Sequence, residues 1–113
     1  MANTLDIKRN DTKPFVQATV QDATGSALDL TNGSYVFFNM ATNDNTFTPV
    51  FSGAGGFITK ASGTISYEWA AGNTARSGTY LGEFEITYTD GTLLTVPSDH
   101  SFVINIYEDY DGN

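Results

Sequence analysis

The sequence predicts an all-β protein: an antiparallel two-sheet, immunoglobulin-like β-sandwich of about seven or eight strands, with no disulfide. Three observations carry this. Apolar and polar residues alternate at period two in run after run, the pattern of a strand with one buried face. Clusters of Gly, Asn, Asp and Pro separate those runs at short intervals. No segment keeps a helical period over ten residues. At 113 residues and 40% hydrophobic content the chain can bury one modest core, and with no cysteine that core must suffice alone.

Residues 1–10 read as an N-terminal arm or short first strand, because Leu5 and Ile7 alternate with Asp6 and Lys8. Residues 10–14 are turn material, and Pro14 opens a strand over 15–21 with Val16, Ala18 and Val20 inward. Leu28 and Leu30 follow a turn at 22–26 and pack under the sandwich edge. After Asn32-Gly33 comes the most apolar strand, 34–40, hydrophobic on both faces, which predicts a central strand or a face kept for a partner. Two weaker extended pieces, 47–51 and 57–60, flank Gly53-Ala54-Gly55-Gly56, expected to be a mobile or interface-forming excursion. In 64–69, Ile65, Tyr67 and Trp69 share a face. The clearest signal is the hairpin SGTYLGEFEITYTDGTLLTVP. Tyr80, Gly82, Phe84, Ile86 and Tyr88 fall on one side, Leu81, Glu83, Glu85, Thr87 and Thr89 on the other, and Asp90-Gly91 makes the turn. The last strand alternates Phe102, Ile104 and Ile106 with Val103, Asn105 and Tyr107, completing a sandwich domain over 11–107. Residues 108–113 form an acidic tail.

The net charge is −8, from 13 acidic and 5 basic residues, and the only adjacent basic pair is Lys8-Arg9. No basic cluster exists to neutralise a phosphate backbone, so nucleic acid is not an expected partner. No signal-peptide pattern and no membrane-spanning apolar run are expected.

Catalytic chemistry finds no support. His100 beside Asp99 resembles an oriented base, but neighbours on a strand point opposite ways, and no nucleophile motif accompanies them. It reads as a surface histidine. One histidine without cysteine cannot build a zinc site. Glu108, Asp109 and Asp111 lack the spacing of a calcium loop. Glu83 and Glu85 sit about 6.6 Å apart along one strand, without a cleft to divide their roles. The glycine run at 53–56 lacks the lysine and helix of a phosphate loop. No catalytic, cofactor-binding or metal-binding residue is assigned, and no cofactor. Most aromatic residues must be core; the few left over define interface candidates. These, with the N-terminal arm, are Leu5, Ile7, Lys8, Arg9, Phe38, Phe57, Tyr107 and Tyr110.

The chain also resembles the N-terminal domain of the phage baseplate upper protein family. The likeness runs from Ile7-Lys8-Arg9-Asn10-Asp11-Thr12-Lys13-Pro14 through Asp29-Leu30-Thr31-Asn32-Gly33 and Val36-Phe37-Phe38-Asn39-Met40. It continues in Gly63-Thr64-Ile65-Ser66-Tyr67-Glu68-Trp69, Gly78-Thr79-Tyr80 and Glu83-Phe84-Glu85-Ile86-Thr87-Tyr88-Thr89-Asp90-Gly91. The resemblance implies a non-catalytic sandwich that docks onto other virion proteins. Asn73 replaces an acidic residue usual in that family, and the linker helices and receptor-binding module that follow the domain there are missing. A 12.2 kDa sandwich alone matches the format of capsid decoration, or cement, proteins. The resemblance therefore leads to the expectation of a virion-surface protein, assembled in the host cytoplasm, that binds the major capsid protein or other virion structural proteins. Self-association as a trimer, a baseplate or tail adaptor role, and a carbohydrate-binding module remain alternatives. The arm at 2–10, the acidic tail and the glycine run would be the reaching elements, so removal of residues 2–9 is expected to leave the sandwich folded.

Overall fold

The computed structural model describes residues 4–22, 24–44, 46–96 and 102–110. Among these, nine strands form two sheets. They are β1 (Thr4–Lys8), β2 (Val16–Thr19), β3 (Gly33–Thr42), β4 (Pro49–Ala54), β5 (Gly56–Thr59), β6 (Thr64–Tyr67), β7 (Gly78–Tyr88), β8 (Leu93–Val96) and β9 (Phe102–Tyr107). A six-stranded sheet runs β1-β9-β7-β3-β4, with β8 also paired to β7, and a three-stranded sheet runs β2-β6-β5. The chain is an immunoglobulin-like β-sandwich, as its alternation predicts.

The period-two patterns translate directly into burial. Phe84 and Ile86 of β7 and Phe38 and Met40 of β3 are sealed from solvent, as are Ile65 of β6 and Ile104 of β9. Phe38 sits at the centre, its ring 5.1 Å from those of Tyr67 and Phe84 and 5.9 Å from that of Trp69. The buried polar groups on this core are satisfied, which avoids the cost of stranding them. The Trp69 indole donates to the Pro14 carbonyl at 2.9 Å, and the Thr74 hydroxyl donates to the Asp11 carbonyl at 2.8 Å. Burial pushes the Tyr67 hydroxyl pKa up, and that hydroxyl donates to Asn73 Oδ1 at 2.6 Å.

The Asp90-Gly91 hairpin forms as predicted, with Gly91 at φ +88° and Thr87 opposite Leu93. Downstream, β8 and β9 share one edge of β7. Val96 pairs with Phe84 and Phe102 with Gly82, so only Glu83 of β7 separates the two pairings. Residues 97–101, among them Asp99 and His100, lie outside the described residues, as do residues 1–3 and 111–113.

The packing decides between the two readings of the N-terminal segment and corrects the reading of the glycine run. The segment is the short first strand, not a free arm. It pairs in parallel with β9, Ile7 opposite Ile106, and Ile7 is buried in the core. Its removal would strip an edge from the main sheet. Nor is the glycine run an excursion. Gly53 closes β4 over the Tyr67 ring, and Gly55 is where the chain passes from one sheet to the other. A Cβ on Gly55 would stand 2.7 Å from the Ser66 carbonyl oxygen, and its amide is bonded to the Val36 carbonyl at 2.8 Å. Gly53 and Gly55 permit close approach, while Gly56 faces open space.

Candidate functional site: the outer face of the large sheet

The side chains of β3, β7 and β8 that point away from the core form a continuous surface. Tyr35 lies beside Thr87, which lies beside Leu93; Phe37 lies beside Glu85, which faces Thr95. Tyr35 and Leu93 are 63% and 62% exposed and Phe37 is 41% exposed, so three large apolar groups share one face in water. In the next row a polar relay crosses three strands: Ser52 Oγ donates to Asn39 Oδ1 at 2.7 Å, and Asn39 Nδ2 reaches Glu83 Oε2 at 3.5 Å. Glu85 has no hydrogen-bond or ion-pair partner among the described residues.

Electrostatics reinforce the asymmetry. None of the five basic residues lies on β3, β4, β7 or β8, so Glu83 and Glu85 dominate the centre of this face. Apolar groups next to uncompensated carboxylates favour a partner that is itself apolar and cationic.

The face ends in a shallow trough of about 480 Å³, lined by Asn39, Ala41, Leu81 and Glu83 of β3 and β7, by Pro49 and Ser52 of β4, and by Phe47 from the loop before it. Asp44 caps the described residues of that loop. Asp44 Oδ1 accepts from the Thr42 and Thr46 hydroxyls at 3.0 and 2.6 Å and from the Thr46 and Phe47 amides at 2.9 and 3.0 Å. These bonds hold Asp44 below the usual carboxylate pKa, the Thr46 hydroxyl contributing most. They also fix Phe47 at φ +48°, a left-handed conformation unfavourable for an aromatic residue, with its ring 56% exposed.

The predicted interface residues separate into two groups. Phe38 and Ile7 belong to the core, a correction, since a side chain sealed inside the sandwich cannot meet a partner; Leu5 and Phe57 pack against the core and are half-buried. Lys8, Arg9, Tyr107 and Tyr110 do come together, at the β1–β9 edge, but there they bind their own chain. Arg9 pairs with Glu108 at 3.0 Å and donates to the Ala75 carbonyl at 3.0 Å. Ser77 Oγ donates to the other Glu108 oxygen, and Lys8 Nζ lies 4.1 Å from the Tyr110 ring centroid. The start of the acidic tail is therefore clasped to β1. Tyr107 is 49% exposed beside Asp6. Sequence reasoning missed Tyr35, Phe37, Phe47 and Leu93. The signal for the first two was present: with Val36, Phe38 and Met40 inward, Tyr35 and Phe37 must point out.

No protein-family model matches the chain, and no curated protein matches it. Among solved structures, the chain is similar to CopC from Methylosinus trichosporium OB3b at 10% identity, with a TM-score of 0.51, covering 91% of this chain and 82% of that one. At that identity the likeness is one of fold. The phage reading is corrected: the structural match is to CopC and not to a baseplate upper protein, and no family model supports the phage resemblance. The expected virion location, the decoration, cement and adaptor roles and the carbohydrate-binding alternative are withdrawn with it. The segments that carry the phage resemblance are single strands and turns, each of which a sandwich of another family can contain.

The described residues do not assemble a site for a soft or borderline transition metal, which takes imidazole, thiolate or thioether groups. This chain has no cysteine, and its one histidine, His100, lies outside the described residues. Met40 is sealed in the core at 1% exposure, and no group of three metal-capable side chains occurs among the described residues. No helix among the described residues is long and apolar enough to cross a membrane.

Proposed function

We propose that this protein is a non-catalytic recognition module that docks a partner protein onto the outer face of its six-stranded sheet. The observation that carries this is the apolar trio Tyr35, Phe37 and Leu93, exposed beside Glu83 and Glu85 on strands without a basic residue. Large aromatic groups on a rigid sheet give contact area at little cost in conformational entropy, and tyrosine is favoured at binding hot spots. Two copies stacking these faces would oppose glutamate to glutamate, so the charge favours a different, basic protein over self-association.

The test is affinity capture from the source cell with the tagged chain, its Tyr35→Ser/Phe37→Ser/Leu93→Ser variant, and a control changed at Gln17→Ala and Ser66→Ala on the smaller sheet. The parent and the control should retain the same basic protein, with binding weakened by added salt. The face variant should lose it while remaining folded. Equal capture by all three forms would refute the proposal.

A further inference from the structure

The trough beside Phe47 adds a specific recognition element, resting on the reading of the outer face as the docking surface. We infer that it receives a lysine side chain of the partner, the aliphatic stem lying along Leu81, Ala41 and Phe47 and the ammonium reaching Glu83. The volume of about 480 Å³ falls within the range of ligand sites but is open and shallow, suited to one side chain and not to an enclosed small molecule. Its polar side chains gather at one end, where Ser52, Asn39 and Glu83 lie in a row. An apolar channel ending in a carboxylate complements a side chain with a hydrocarbon stem and a cationic tip.

The chemistry distinguishes lysine from arginine. Arginine is best bound by two carboxylate oxygens at once. Here Glu83 Oε2 already faces Asn39 Nδ2, so the carboxylate offers an incoming cation a point contact, which suits an ammonium. The Phe47 ring adds attraction if the cation passes over its face. The unfavourable φ of Phe47 gives a reason to expect use: the Asp44 cap holds this ring out of the core and at the mouth of the trough.

The experiment uses n-hexylammonium as the lysine-like probe and n-hexanol as its uncharged counterpart, titrated into the full chain and followed by amide chemical shifts. The expected result is saturable binding of hexylammonium, with dissociation on the order of millimolar for so small a ligand. Its shifts should centre on Ala41, Phe47, Leu81 and Glu83. Glu83→Gln should weaken it about threefold to fivefold, the scale of an exposed ion pair. Phe47→Ala should weaken it as well, and hexanol should bind less well than hexylammonium. Hexanol binding as tightly as the amine, or an effect of the amine unaltered by Glu83→Gln, would overturn the inference. So would shifts centred elsewhere. Tyr35, Phe37 and Leu93 do not line the trough, so failure here leaves the capture experiment with the face variant as a separate test of the docking surface.

Discussion

Gly82 is the position where one added carbon should matter most. It lies on the inner side of β7 opposite Met40, and the Phe38 ring covers it. A Cβ built on Gly82 would stand 2.7 Å from Phe38 Cζ and 2.7 Å from Ile104 Cδ1, far inside ordinary carbon–carbon contact. Neither neighbour can retreat easily. Phe38 is 0% exposed and is boxed in by Phe51, Tyr67, Trp69 and Phe84, with ring centroids between 5.1 and 6.1 Å away. Ile104 is also 0% exposed. Overpacking a tight core costs about 1–3 kcal/mol, and two simultaneous clashes place Gly82→Ala toward the upper end. Against this, replacing glycine restricts the unfolded chain and returns about 0.4–1 kcal/mol. The packing term wins, leaving a net loss of about 2 kcal/mol.

For a chain of this length, that loss lowers the melting temperature by about 8 °C. Urea unfolding should show an earlier midpoint with an unchanged slope. The control is Gly56→Ala in β5, where nothing stands within 4 Å of the added carbon and φ is not left-handed. It should be neutral or slightly stabilising, by the same unfolded-state effect. If Gly82→Ala melts within a degree of the parent, or the two variants shift together, the close-packed account of the Phe38 cluster is wrong.

Two further outcomes follow from side-chain chemistry. Asp22, Asp29, Asp44 and Asp90 are each held below the ordinary aspartate value of 3.8, first by a hydroxyl bond from the threonine two residues on, and Glu108 is lowered by Ser77 and then Arg9. Their folded-state pKa values lie below the unfolded ones, so their stabilisation is complete above about pH 5 and is lost as pH falls through the folded values; melting temperature should be level above pH 5 and fall below about pH 4. Thr92→Val should raise the Asp90 pKa toward its ordinary value in a carboxylate NMR titration; no change would refute the hydroxyl's role. In the second, one equivalent of Cu(II) should be lost on desalting, because the described donors do not assemble a site; retention of close to one copper per chain would refute that reading.

Strand existence was legible because burial on one face imposes a period that local sequence records. The hairpin of β7 and β8, the inward Ile65-Tyr67-Trp69 set and the final strand all follow from it. What sequence recorded poorly was partnership between distant segments. Nothing in Leu5 or Ile7 states that β1 will lie parallel to β9, since that pairing joins the two ends of the chain. The glycines at 53–56 carry the same ambiguity. Glycine permits either a loose loop or an unusually close approach, and only the position of Tyr67 and Ser66 decides between them. The repeated Asp-x-Thr turns, by contrast, were open to a purely local reading, because donor and acceptor are two residues apart.

The candidate site was harder to read for a physical reason. A catalytic site concentrates rare groups, and their absence can be noticed residue by residue. A docking face uses the residues that also build cores, so Tyr35 and Phe37 differ from Val36 and Phe38 only in which way the strand turns them. In a strand hydrophobic on both sides, composition does not choose the wet face; the second sheet does, by covering Val36, Phe38 and Met40 and leaving the other side bare. The charge pattern then gives that bare face its meaning. If the exposed aromatics were surplus hydrophobicity alone, basic residues would be as welcome among them as acidic ones. Instead β3, β7 and β8, the strands that form the face, have Glu83 and Glu85 and neither lysine nor arginine, so selectivity for a cationic partner is built into the strands that form the surface.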